Sequence, residues 1–452
     1  DQSVMLDSVD ASLVLDLSIN GSAQIEDDAF DVDAIALHGD SDERNDHDDS
    51  VFTLKDVIAV TDIDMAVYGE ISVGLTDNGR LAEVDADSIR VDANGGDVAI
   101  YGESEFHVDV SLYGRGELSA VDAFDGDIEA QITGEHVGIT GTVERNILFA
   151  QSINVDLAGE VLDFSDEGID HDEITLQLYA DSITLEYVES TTQVGVTMAS
   201  ADMSSKFDLV GLSGQVESLY TDASGDVTLD SSSFYAMVDV DLAGDMYSEL
   251  GSLISISGTD NADINASGDV IVEDVQFGTT ITAAIDADGY GDTAGTYSAY
   301  AQDYLISLGE NYGVAVSSSQ DIALTDVEAT LDVNLSVDGD AYSVDDSISV
   351  SWAGAAYLDG ASTSNVDVSG LNASTYVELH TGASVTSDNK AIDAYAVAME
   401  VDSGIITIAD TNLDVTVVAQ ADATGALVDV EAYGLVVDGG TGQNALSQKS
   451  SP

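Results

Sequence analysis

The chain has 452 residues, of which 87 are Asp or Glu and 9 are Lys or Arg, giving a formal net charge of −78. A hydrophobic fraction of 44% separates it from disordered acidic tails, because it carries enough apolar side chains to build a core. The acid excludes nucleic acid as a partner, since phosphate binding needs cationic patches, and no apolar run reaches the roughly 18 residues that would suggest membrane insertion as a helix.

Cysteine is absent, so a disulfide framework is excluded and stability must come from packing and backbone ladders. The one proline is Pro452. Proline cannot donate to a strand ladder, and a chain that avoids it even between elements reads as continuous β-structure with short turns. The chain starts at Asp1 rather than Met, which reads as a mature product whose leader has been removed and predicts export to the cell surface.

In chain order, Leu13, Leu15, Leu17 and Ile19 alternate with polar positions as an opening strand, and Asn20-Gly21 reads as a turn. Residues 26 to 50 hold the densest acid, including Asp40, Asp42, Glu43, Asp46, Asp48 and Asp49 around His47, and read as a solvated loop with loose calcium binding as its functional version. From Lys55 a refrain begins: a short strand opening on Asp, Ser or Gly, followed by a second strand. Examples are Asp97-Val98-Ala99-Ile100-Tyr101-Gly102, Asp226-Val227-Thr228-Leu229, Asp269-Val270-Ile271-Val272, Asp321-Ile322-Ala323-Leu324 and Gly404-Ile405-Ile406-Thr407-Ile408. Its spacing runs irregularly from about twenty to sixty residues, which counts against a solenoid of fixed coil length and permits an irregular one. Gly289 to Asn311 is the least strand-like region and reads as a long loop or one short helix.

The clearest strand lies in Asp321 to Gly339. Ala329, Leu331, Val333, Leu335 and Val337 share one face; Thr330, Asp332, Asn334, Ser336 and Asp338 share the other. Ile322 and Leu324 alternate in the opposite phase, so Asp326 marks a bulge or corner. The expected fold is all-β, an elongated irregular β-solenoid or a stacked β-sheet or sandwich body with short turns. Composition shifts near residue 200. We divide the chain into an acidic β-rich region (1–200), a Ser/Thr/Gly-rich β-region continuous with it (201–438) and a flexible tail (439–452).

Asp286, Asp288 and Asp292, spaced around glycines, form the best candidate calcium site, because alternate aspartates can turn several oxygens onto one hard cation. The set lacks the closing Glu of an EF-hand. The six histidines form no ligand pair at helical spacing, G-x-S-x-G is absent, and Trp352 is the sole tryptophan, so no enzyme is expected. No Lys or Arg occurs between Lys206 and Lys390, and a surface this acidic needs high salt or divalent cations to screen it. That suits a marine or hypersaline setting.

The repeated D-[IV]-x-[LIV] strand start, the acidity and the lack of Cys and Pro make most of the chain resemble bacterial and archaeal β-rich surface proteins: fibre subunits, repeat adhesins and β-helical appendages. The resemblance implies a secreted structural subunit of an extracellular filament, sheath or surface layer, with itself and divalent cations as partners. The alternative is a calcium-dependent adhesin or binder of cell-surface glycans, whose mark would be an aromatic patch supplied by the 18 tyrosines. A polysaccharide hydrolase would need clustered carboxylates in a groove with several aromatics.

Overall fold

The apolar–polar alternations of the sequence become strands, and each strand hydrogen-bonds to the equivalent strand one turn of the chain later. The computed structural model describes residues 3–40, 51–74, 79–93, 95–170, 173–212, 215–287, 297–361, 364–382, 384–386, 389–401, 404–421, 427–439 and 447–448. Among these there is no helix, and the pairings between strands are parallel. Ten long strands stack in chain order into one sheet: Asp10–Ile25, Ile58–Val73, Glu105–Ala120, Ile147–Phe164, Val188–Ser205, Ser233–Ser248, Gln276–Ala287, Glu328–Gly339, Asn372–Thr381 and Asn412–Ala421. The molecule is therefore a β-solenoid. Within this sheet the chain returns to the same position after as few as 40 residues, Asn372 beside Asn412, and as many as 52, Gln276 beside Glu328. The uneven spacing of the refrain is absorbed between strands while the strands keep register.

The refrain itself is the third side of each coil. Its short strands, such as Val227–Asp230, Val270–Glu273, Ile322–Thr325 and Val366–Ser369, stack on one another. Their opening aspartates have a structural reason. Asp226 Oδ1 accepts the backbone N–H of Asp269 (2.9 Å), Asp269 Oδ1 that of Asp321 (3.1 Å), and Asp321 Oδ1 that of Asn365 (2.8 Å). Each carboxylate thus satisfies a donor that the turn leaves unpaired in the next coil.

After the refrain strand the chain turns a corner in the left-handed backbone region. Ser8, Asp56, Tyr187, Ser231, Asp274, Asp326 and Asp410 all have φ between 49° and 58° there, and Gly102 and Gly370 occupy the same place. The phase reversal at Asp326 is this corner. Asn20-Gly21 is not a turn: it lies inside the strand Asp10–Ile25. Gly21, Gly69, Gly116 and Gly159 fall in one column across four coils. A Cβ on Gly69 would sit 2.0 Å from the Gly21 carbonyl oxygen, so the column bends the sheet where backbones approach too closely for a side chain. Short strands at Ala299–Ala301 and Ile306–Leu308 occupy described parts of the region read as a loop or helix.

The interior divides into two apolar lobes. One contains a stacked phenylalanine row, with Phe106 on Phe149 (4.9 Å) and Phe234 on Phe277 (5.5 Å). Between the lobes runs a buried hydroxyl seam. Thr61, Thr192, Thr279 and Thr375 reach from the continuous sheet and donate to the carbonyls of Asp87 (2.7 Å), Glu217 (2.7 Å), Tyr312 (3.0 Å) and Tyr395 (2.6 Å) on the opposite wall. The seam draws that wall inward, and buried polar groups are tolerated there because they are hydrogen-bonded.

The expected clash of aspartate against aspartate along the wet face is partly relieved by interleaving. Ser152 donates to Asp109 (2.8 Å) and Ser204 to Asp163 (2.7 Å), each from the neighbouring coil. Where acids remain adjacent the repulsion shows: the Asp62 carboxyl is pushed up by burial, then by Asp64 and Asp109.

Candidate functional site: an aromatic and acidic groove

On the outside of the wall opposite the continuous sheet, one column runs through the stack in register: His38, Arg90, Gln131, Gln177, Tyr220, Asp263, Ala315, Tyr357, Ala398 and Val436. Toward its C-terminal end small residues alternate with large ones. A groove of about 510 Å³ opens there, lined by Asp260, Asp263, Asn265, Glu310, Tyr312, Ala315, Val316, Ser317, Trp352, Tyr357, Asp359, Ala398, Met399, Glu400 and Val436. The groove lies over the seam, where Thr279 and Thr375 hold the carbonyls of Tyr312 and Tyr395.

The aromatic wall is built by stacking. Tyr312 and Tyr357 lie 5.3 Å apart with rings nearly parallel, and Tyr395 packs against Tyr312 at 6.2 Å. In register, Gly354 separates Tyr312 from Tyr395. A Cβ at Gly354 would lie 2.1 Å from the Tyr395 ring, so glycine is what lets that ring lie across the strand. Tyr395 is 2% exposed; its hydroxyl lies beside that of Tyr312 without hydrogen-bonding geometry. Burial pushes both phenols up.

Trp352 stands out in backbone terms. Of the eight described non-glycine residues with positive φ, seven are the corner residues and the eighth is Trp352, at 55°. Its strand carries a bulge: two residues separate Val350 from Ala353, while one separates their partners Ile392 and Ala394. The bulge turns the indole outward, 48% exposed, with its edge on Tyr395 at 6.2 Å and 79°. A bulky residue in this region is strained, and strain of this kind concentrates at ligand sites.

The acidic wall carries Asp260, Asp263, Glu310, Asp359 and Glu400, and among the described residues no Lys, Arg or His lines the groove. Asp260 Oδ1 accepts the Tyr312 backbone N–H at 3.0 Å, so it also supports the aromatic wall. Burial, then Asp263, holds the Asp260 carboxyl well above the usual range, against the pull of the Tyr312 N–H. Burial raises Asp263 as well, opposed by a hydrogen bond from Asn265. The Tyr357 hydroxyl donates to Glu400 Oε2 (3.4 Å) and is pushed up to about 12 by burial, then by Asp359 and Glu400.

Of the proposed calcium ligands, Asp286 lies one residue before the end of the strand Gln276–Ala287, beside Asp338 of the next coil; Asp288 and Asp292 lie outside the described residues. The acid cluster after Asp40 lies outside them too. Among the described residues no group of three or more His, Cys, Asp or Glu is placed to hold a metal ion. No described helix is long and apolar enough to cross a membrane. Sequence reasoning noted Trp352 only as the sole tryptophan, in arguing against an enzyme, and missed the carboxylates around it. Asp359 and Glu400 share one lateral position and Asp260, Asp263 and Glu310 lie at others, so the set comes together only when the coil register is known.

No protein family, no curated protein and no solved structure matches this chain.

Proposed function

We propose that the protein is an extracellular surface β-solenoid that binds glycans through this groove. The observation that carries the reading is the juxtaposition of exposed Trp352 and stacked Tyr312 and Tyr357 with five carboxylates in one groove. Aromatic faces take the apolar face of a sugar ring, and carboxylates accept from its hydroxyls, which is the pattern of a mostly preformed ligand site. Trp352 is the sole tryptophan and so reports on the site directly. A glycan array probed with the protein is expected to yield binders that shift Trp352 fluorescence and are lost in Tyr357→Ala with its circular dichroism unchanged. No carbohydrate binding in either assay would overturn the reading.

A structural role in a cation-dependent filament or surface layer has its own support. The first and last long strands, Asp10–Ile25 and Asn412–Ala421, each present an unpaired ladder edge among the described residues. A further parallel strand, from a neighbouring subunit or from more of the same chain, would continue the sheet. Calcium or another divalent cation would assist by bridging acids such as Asp286 and Asp338. Electron microscopy in chelator and then in calcium tests this: ordered polymers with calcium are expected, and single particles in both conditions rule it out.

A further inference from the structure

We propose that the groove selects saccharides bearing free amino groups, bound as an extended chain along the solenoid axis. The proposal rests on the glycan-binding reading and narrows it to one chemical class.

The direction comes from register. Asp263, Ala315, Tyr357, Ala398 and Val436 occupy one lateral position in five successive coils. Parallel strands lie about 4.8 Å apart, so the site runs about 19 Å along the axis and is narrow across it. That shape fits a linear oligosaccharide of a few rings laid parallel to the axis.

The charge comes from the lining. Acidic side chains enter the groove from several coils, and among the described residues no basic group lines it. The surrounding chain has no Lys or Arg between Lys206 and Lys390. An anionic glycan would meet like charge at every step, and a neutral one would gain nothing from the net charge of the carboxylates. A protonated amine compensates them, and the faces of Tyr357 and Trp352 attract an ammonium directly. The raised carboxyls of Asp260 and Asp263 fit this chemistry. Meeting an ammonium favours their ionised form, so binding releases protons.

The test compares a glucosamine tetrasaccharide with its N-acetylated counterpart by calorimetry and Trp352 fluorescence, with tetralysine as a charge control. The amine form is expected to bind at least about tenfold more tightly, the size of one or two cation–π or charge-assisted contacts. The preference is expected to shrink in Glu400→Gln, an exposed position where loss of fold is not at issue. Equal binding of the two sugars would overturn amine selection and leave glycan binding standing. Binding of neither, together with a blank array, would overturn both. Tetralysine binding as tightly as the glucosamine oligomer would also overturn the proposal, because the groove would then read charge without the sugar.

Discussion

The two ends of the outer wall use the same lateral column in opposite ways. Near the N-terminus the column holds Arg90, whose Nε lies 2.7 Å from the buried Asp87 carboxylate and whose Nη2 lies 3.4 Å from Asp85. Arg80 closes the next acids in the same manner, 2.9 Å from Glu83 and 2.8 Å from Asp125. In the following coils Gln177 bridges Glu129 (2.7 Å) and Gln131 (3.3 Å), and Tyr179 donates to it (3.0 Å). Side chains there satisfy one another across coils and the wall is filled. Near the C-terminus the same column holds Ala315, Tyr357 and Ala398, and the acids beside it face a groove with no basic residue among the described ones. One backbone thus supports a cross-linked surface and an open one. The difference lies in whether cations and amides, or alanines and aromatics, occupy the repeating position.

The largest effect is expected from breaking the closed end. Arg90→Ala leaves Asp87, 0% exposed, without its guanidinium and should cost about 3 kcal/mol in denaturant unfolding above neutral pH. Adding Asp87→Asn should restore most of the loss. An unchanged unfolding midpoint in the single variant would show that the ion pair does not hold this wall.

At the open end, Gly354→Ala drives a methyl group toward the Tyr395 ring. The overpacking should cost about 1–3 kcal/mol and change the emission of Trp352, whose edge rests on that ring. Wild-type emission and stability together would mean that the strand accommodates the methyl group and that glycine is not needed there.

The pH response tests the buried carboxyls. Burial pushes Asp87 up to about 7 and Asp208 up to about 6, from an ordinary value of 3.8. In the window between 3.8 and these values the folded carboxyls hold protons that the unfolded chain has released. Folding takes up protons there, so this contribution is fully present below the window and is lost as pH rises through it. Melting temperature should fall from about pH 4 to about pH 7 at fixed salt, in the same direction as the growing self-repulsion of the acidic surface. Asp87→Asn should flatten the part of the slope near neutrality. An unaltered slope would assign the effect to surface repulsion alone.

The smallest change in stability is expected from Trp352→Gly. Glycine accepts the positive φ without strain, which offsets the lost indole packing, so unfolding should move by no more than about 1 kcal/mol. Saccharide binding should nevertheless fall sharply. A large loss of stability would show that the indole is a packing element rather than a ligand platform.

The alternation from Ala329 to Val337, the opposite phase of Ile322 and Leu324, and the near-absence of proline were enough to specify strands, an inward face and a corner at Asp326. Those signals are local: side chains alternate with period two, and a corner reverses the phase. The Asn20-Gly21 signal misled because it is a hairpin signal only when the chain turns back, whereas here the glycine belongs to a column of close backbone contacts. The groove was not legible in the same way. Tyr312, Gly354 and Tyr395 are neighbours only because coils of unequal length return to one register, and Asp260 meets Tyr312 only across a coil boundary. The sequence determined that this chain would form parallel-stackable, acid-faced strands, because alternation and residue chemistry act within a few residues. The tertiary structure alone decided which acids met arginine and which met tyrosine, because register between coils is set by the packing of the whole stack.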